Sequence, residues 1–127
     1  MMNAVALGTG ARLRMDIAVE ELANGAAKVV LRGRFDSTGT VVVELPFQKI
    51  ATEKDRIVVD LSAVNFMSSY GVRLLLVGAN ILNSKGGRMV IACPDNHVAK
   101  VLKLARADTL IPTFRALADA EAALASP

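Results

Sequence analysis

Apolar and polar residues alternate over positions 15–20 (Met-Asp-Ile-Ala-Val-Glu), the period of a strand with one buried face. Asn24-Gly25 follows as a two-residue hairpin signal, and Lys28-Val29-Val30-Leu31-Arg32 reads as the partner strand. Residues 33–39, with a glycine at each end, read as the break after that strand, with Asp36 or Ser37 placed to cap a helix. Residues 40–53 carry two conflicting patterns. The branched run Val41-Val42-Val43 favours a strand, while Leu45, Lys49 and Glu53 have helical spacing and Pro46 suits only a first turn. This stretch is expected to be irregular, leading into a short helix near 46–53.

The second half has a plainer rhythm. Ile57-Val58-Val59-Asp60-Leu61 is a short apolar run, as in a central strand covered on both faces. Ser68 or Ser69 caps a helix whose inner face is Val72, Leu75, Leu76, Ala79 and Leu82. A second stripe on it, Leu74, Gly78 and Ile81, is expected in the core. Lys85-Gly86-Gly87 ends the helix, and Arg88-Met89-Val90-Ile91-Ala92 is the next strand. Asp95 or Asn96 opens another helix, with Val98, Val101, Leu102 and Ala105 inward and Lys100, Lys103 and Arg106 outward. Leu110-Ile111-Pro112-Thr113-Phe114 reads as an edge strand and residues 117–124 as a closing Ala-rich helix. An opening hairpin followed by alternating strands and helices predicts one α/β domain over residues 15–125. Its central sheet would be mixed and mostly parallel, with about five strands and about four helices, and residues 1–14 form a tail.

Composition narrows the class. With 53% apolar and 21% charged residues in a chain of 127, the protein buries its own core and is not disordered. One cysteine makes an intrachain disulfide impossible, so a reducing cytoplasm is the expected compartment. No apolar run reaches membrane-span length, and the N-terminus lacks a secretory pattern. Fifteen basic against twelve acidic residues, no Trp and one Tyr make direct nucleic-acid binding a poor reading.

Enzymatic signatures are missing. Ser69, His97 and Asp60 or Asp95 would be the only route to a small serine hydrolase, yet Met67 stands where a nucleophile elbow needs glycine. Cys93 before Pro94 reads as a filler at a strand end. One His and one Cys provide no metal ligand set, and no phosphate-binding glycine motif occurs, so no catalytic residue, metal or cofactor is expected. The unusual place is Asn65-Phe66-Met67-Ser68-Ser69-Tyr70-Gly71, which joins a buried strand to a helix and presents two adjacent hydroxyls at the helix start. Capping explains one serine. The other stands where free N–H groups and the positive dipole end would accommodate a phosphate.

The chain resembles STAS domains, specifically the small free-standing anti-sigma-factor antagonists, from about residue 15 to 124. Gly33-Arg34-Phe35-Asp36 is similar to the family's Gly-x-Leu-Asp, and Val59-Asp60-Leu61-Ser62-Ala63-Val64-Asn65-Phe66-Met67 to its central strand. Ser69-Tyr70-Gly71-Val72-Arg73-Leu74-Leu75 is similar to its helix start. Gly86-Gly87-Arg88-Met89-Val90-Ile91 and Glu121-Ala122-Ala123-Leu124 resemble the following turn, strand and closing helix. In the family the phosphoacceptor lies two residues before the helix glycine, which the resemblance carries onto Ser69. Two departures stand out: Ser68 replaces the family's usual Asp, and Tyr70 its usual Ser or Thr.

The resemblance implies a binding protein. Its unphosphorylated form captures an anti-sigma factor that is also a serine kinase of the histidine-kinase-like ATPase type, and so frees a sigma factor. Phosphorylation of Ser69 ends the interaction and a serine phosphatase resets it. The implied docking face comprises Asp36, Ser37, Ser68, Ser69, Tyr70, Gly71 and Arg73. Alternatives with the same fold are a STAS subunit of a lipid ABC transporter or a component of another partner-switching complex.

Overall fold

A computed structural model describes residues 5–6 and 15–125. The strands are β1 (Val5–Ala6), β2 (Met15–Glu21), β3 (Ala27–Phe35), β4 (Arg56–Met67), β5 (Arg88–Ala92) and β6 (Thr113–Phe114). The helices are α1 (Ser37–Glu53), α2 (Ser69–Ser84), α3 (Asn96–Leu104), α4 (Ala107–Leu110) and α5 (Leu117–Ala125). The strands lie in one sheet in chain order. β1, β2 and β3 pair antiparallel, and β3 to β6 pair parallel. The expected mixed, mostly parallel α/β fold is thus present. Apart from Val5–Ala6, the expected tail of residues 1–14 lies outside the described residues.

Successive parallel crossovers running one way across a sheet place their helices on one face. The larger core accordingly joins Val29, Leu31, Val59 and Ile91 of the strands to Val43 and Phe47 of α1, Leu75 and Leu82 of α2 and Leu102 of α3. Leu74 and Gly78 are buried and Ile81 packs against this core, as their spacing predicts. A smaller core on the opposite face holds Val58, Val90 and Ala92 against Ala120 and Leu124 of α5. Arg88 fastens that helix by donating to the Ala123 carbonyl at 2.9 Å. The face of β2 and β3 away from the large core is polar, and its cross-strand charges pair: Lys28 with Glu20 at 3.3 Å and Arg32 with Asp16 at 3.7 Å.

Several expectations need correction. The Asn24-Gly25 turn is wider than two residues: pairing stops at Glu21↔Ala27, and a 3-10 turn over Ala23–Gly25 fills the gap. Leu22 and Ala26 pack into the smaller core, which a tight hairpin would forbid. Gly33 does not end its strand. It takes φ +110° inside β3, where the register with β4 shifts on either side of it. Glycine reaches that conformation without the cost a side chain would add.

Residues 37–53 form one continuous helix despite the valine run and Pro46. Burial of Gly39, Val43, Phe47, Ile50 and Ala51, all on one helical face, outweighs the local preferences. β4 runs on to Met67, well past Leu61, because pairing with β3 carries it through exposed Ser62, Ala63 and Asn65. Leu110 belongs to α4, a single turn too short to have a readable period, and the edge strand shrinks to Thr113–Phe114. Ala105 is exposed, since α3 ends at Leu104 before the next turn can carry it inward.

Candidate functional site

Phe35 and Met67 are the last register pair of β3 and β4, so the residues after them stand at adjacent strand ends. Each caps a helix. Asp36 accepts a hydrogen bond from the Gly39 N–H through Oδ1 at 2.8 Å, and its carbonyl accepts from the Thr40 hydroxyl at 2.9 Å. Ser68 Oγ accepts from the Tyr70 N–H at 3.2 Å and donates to the Phe35 carbonyl at 3.1 Å. The same carbonyl also accepts from the Ser68 N–H at 2.9 Å. Two helix N-termini therefore open side by side on one rim of the sheet.

This divides the two serines. Ser68 is the cap, half-buried and engaged on both sides. Ser69 is the first residue of α2, exposed, and its hydroxyl makes no hydrogen bond among the described residues. It faces solvent at the end of a helix whose first N–H groups have no partner within the helix. Gly71 lies behind it, buried: a Cβ there would stand 2.8 Å from Phe35 Cγ, so the helix start sits directly on the Phe35 ring.

Around Ser69 the surface falls away on two sides. Between α1 and α2 lies a hollow of about 320 Å³ of mixed character, lined by Thr40, Glu44, Gln48, Tyr70 and Arg73 together with Leu74 and Val77. Tyr70, 58% exposed, is an available contact surface on its edge. Between α2 and α3 lies an apolar groove of about 490 Å³ that Ser69 and Arg73 also border. Ser37 is exposed at the first position of α1. Of the residues expected at a docking face, Asp36, Ser37, Ser68, Ser69, Tyr70 and Arg73 thus reach this rim, while Gly71 sits beneath it.

The sequence reading missed a cluster that continues the rim. Arg34 approaches Asp36 at 3.4 Å and lies over the Phe66 ring at 4.3 Å, and His97 stacks on Phe66 at 5.6 Å and 18°. It joins β3, β4 and α3, three residues far apart in the chain. The nearest signal was a lone phenylalanine at the exposed end of a strand.

The hydrolase arrangement is not assembled. His97 spends its ring on Phe66, Asp95 caps α3 through the Val98 N–H at 2.8 Å, and Asp60 accepts from the Ser62 N–H at 2.9 Å. Burial, with Asp60 nearby, pushes the Cys93 thiol above its ordinary pKa, which disfavours the nucleophilic thiolate. No cluster of three potential metal ligands occurs among the described residues, and no described helix is long and apolar enough to cross a membrane.

Comparison with known proteins places this geometry in a family. A family model for the STAS domain matches residues 18–120. Among solved structures, the chain is similar to an anti-sigma factor antagonist from Mycobacterium paratuberculosis, with 23% identity and a TM-score of 0.80 over 88% of this chain and 95% of that one. It is also similar to SpoIIAA in its unphosphorylated form (24% identity, TM-score 0.64, 76% and 86% covered). The phosphorylated form of the Bacillus SpoIIAA gives 18% identity and a TM-score of 0.61, with 76% and 89% covered. The murine Solute Carrier 26 family member A9 anion transporter shares the fold in part of its length (14% identity, TM-score 0.64, 98% of this chain and 22% of that one). No curated protein sequence matches significantly. The match over most of the chain, with the fold that accompanies it, means that this protein belongs to the STAS domain family.

Proposed function

We propose that this chain is an anti-sigma-factor antagonist that works by partner switching in the cytoplasm. Unmodified, it binds an anti-sigma factor of the histidine-kinase-like ATPase type and so releases a sigma factor. That partner transfers the γ-phosphoryl group of ATP to the Ser69 hydroxyl, the complex separates, and a serine phosphatase restores the hydroxyl. The protein itself supplies a surface and an acceptor.

The observation that carries this reading is the division of labour between the serines: Ser68 holds the helix and leaves Ser69 exposed and unbonded at its N-terminus. A phosphate of about −1.5 to −2 charges suits that position, because the helix dipole and free N–H groups favour an anion there. The fold then keeps its shape, and the change is confined to the docking face. The similar antagonist SpoIIAA has been solved both with and without phosphate, which agrees with such a cycle.

Incubation with ATP and a candidate anti-sigma kinase of the histidine-kinase-like ATPase type from the same organism tests the reading. One phosphate is expected, on Ser69 by phosphopeptide mapping. Label on Ser68, or none, contradicts it. Similarity to part of an anion transporter supports a second reading, a STAS subunit of a transport complex. Co-purification with a permease and its ATPase in place of a kinase would favour that one.

A further inference from the structure

The hollow between α1 and α2 gathers polar side chains that no contact within the fold uses. Glu44 and Gln48 stand one turn apart on α1 and line it opposite Tyr70, Arg73, Leu74 and Val77, which form a single stripe of α2. Its lining holds one acid and one base, Glu44 and Arg73, both exposed. Among the described residues neither side chain is in an ion pair or hydrogen bond, with the other or with a third group. The Tyr70 hydroxyl and the Gln48 side-chain amide are likewise unbonded there. Leu74, 4% exposed, and half-buried Val77 supply apolar surface. The cavity beside Leu45 also holds an acid and a base, Lys49 and Glu53, but these lie one turn apart on one helix, where opposite charges face each other. In the α1–α2 hollow the two charges come from different helices, with hydrogen-bonding groups and apolar surface beside them.

We propose that this hollow binds a free α-amino acid with an aliphatic side chain. The ligand's ammonium donates to the Glu44 carboxylate, its carboxylate accepts from the Arg73 guanidinium, and its side chain lies against Leu74 and Val77. An ion of one sign would satisfy one wall and meet the like charge of the other, whereas a dipolar ligand satisfies both. An ammonium has three protons to donate and a carboxylate two oxygens to accept with, and the Gln48 amide and Tyr70 hydroxyl can take the bonds that remain. The volume of about 320 Å³ stands at the small end of ligand sites, which span roughly 300–1,000 Å³, and so suits a molecule of this size. Both charges are exposed and screened by water, so the binding is weak, on the order of 1 mM.

The test is a ¹⁵N NMR titration of the full chain with L-leucine, beside N-acetyl-L-leucine, which lacks the ammonium, and L-leucinamide, which lacks the carboxylate. Leucine is expected to give saturable shifts at the amides of Glu44, Gln48, Arg73, Leu74 and Val77, and to bind at least about fivefold tighter than either analogue. Glu44→Gln and Arg73→Gln, both at exposed positions, should each weaken leucine about fivefold or more. An undisturbed spectrum away from the hollow shows that each variant is folded. Lys100→Gln, which removes an exposed cation of α3 outside the hollow, should leave leucine binding unchanged. Shifts that do not saturate by roughly 50 mM, or that centre on another part of the surface, would overturn the proposal. Equal binding of leucine and its two analogues, or undiminished binding by the Glu44 and Arg73 variants, would overturn it as well.

Discussion

The carbonyl of Phe35 accepts hydrogen bonds from both the backbone N–H and the hydroxyl of Ser68, at 2.9 and 3.1 Å. Through this pair of hydrogen bonds the end of β3 fixes where α2 begins. The ring of the same phenylalanine lies under Gly71, so one residue sets both the cap and the height of the helix start above the sheet.

Gly71→Val is therefore expected to lower stability by about 1–3 kcal/mol, because the new side chain must displace a fully buried aromatic ring. Chemical denaturation monitored by circular dichroism measures this. An unchanged midpoint would mean the helix start can lift off Phe35 freely.

Ser68→Ala and Ser69→Ala should separate. The first removes the acceptor for the Tyr70 N–H and the donor to Phe35, at a cost of about 1–2 kcal/mol. The second removes a solvent-facing hydroxyl, so its stability should stay within about 0.5 kcal/mol of wild type. Equal losses would erase the distinction between cap and acceptor.

Pro46 interrupts the hydrogen-bond ladder of a helix that forms anyway. It lacks the N–H that would reach the Val42 carbonyl, so Pro46→Ala should raise stability by about 1–3 kcal/mol. A lower melting temperature would show that contacts of the proline ring outweigh the missing bond.

Cys93 should alkylate slowly. Near pH 8.5 a free cysteine is about half ionised, and a pKa raised by burial and Asp60 leaves less thiolate at that pH. Iodoacetamide kinetics should thus run slower than for a free thiol and accelerate on unfolding in urea. A native rate equal to the unfolded one would contradict a raised thiol pKa.

How far the sequence foretold this structure depended on whether a signal was local. Strand alternation, the glycines after α2 and the serine pair before Gly71 lie within a few residues of one another, and those readings located β2, β5, α2 and the position of Ser69. Helix α1 was misread because its local cues, three consecutive valines and a proline, oppose the burial of Val43, Phe47 and Ile50. That burial becomes visible only when α2 and the sheet are in place. The Arg34–Phe66–His97 stack and the α2–α3 groove join residues of elements far apart in the chain, and no periodicity encodes such a meeting.

The central claim is that a phosphate on Ser69 changes the surface and spares the fold. Titration calorimetry of the ATPase-type partner against unmodified protein and protein carrying phosphoserine at position 69, beside thermal melts of each, tests it most directly. The account predicts that the phosphate weakens binding at least roughly 100-fold, while the melting temperature stays within about 3 °C of the unmodified protein. Equal affinity of the two forms, or a loss of binding accompanied by unfolding, would contradict it.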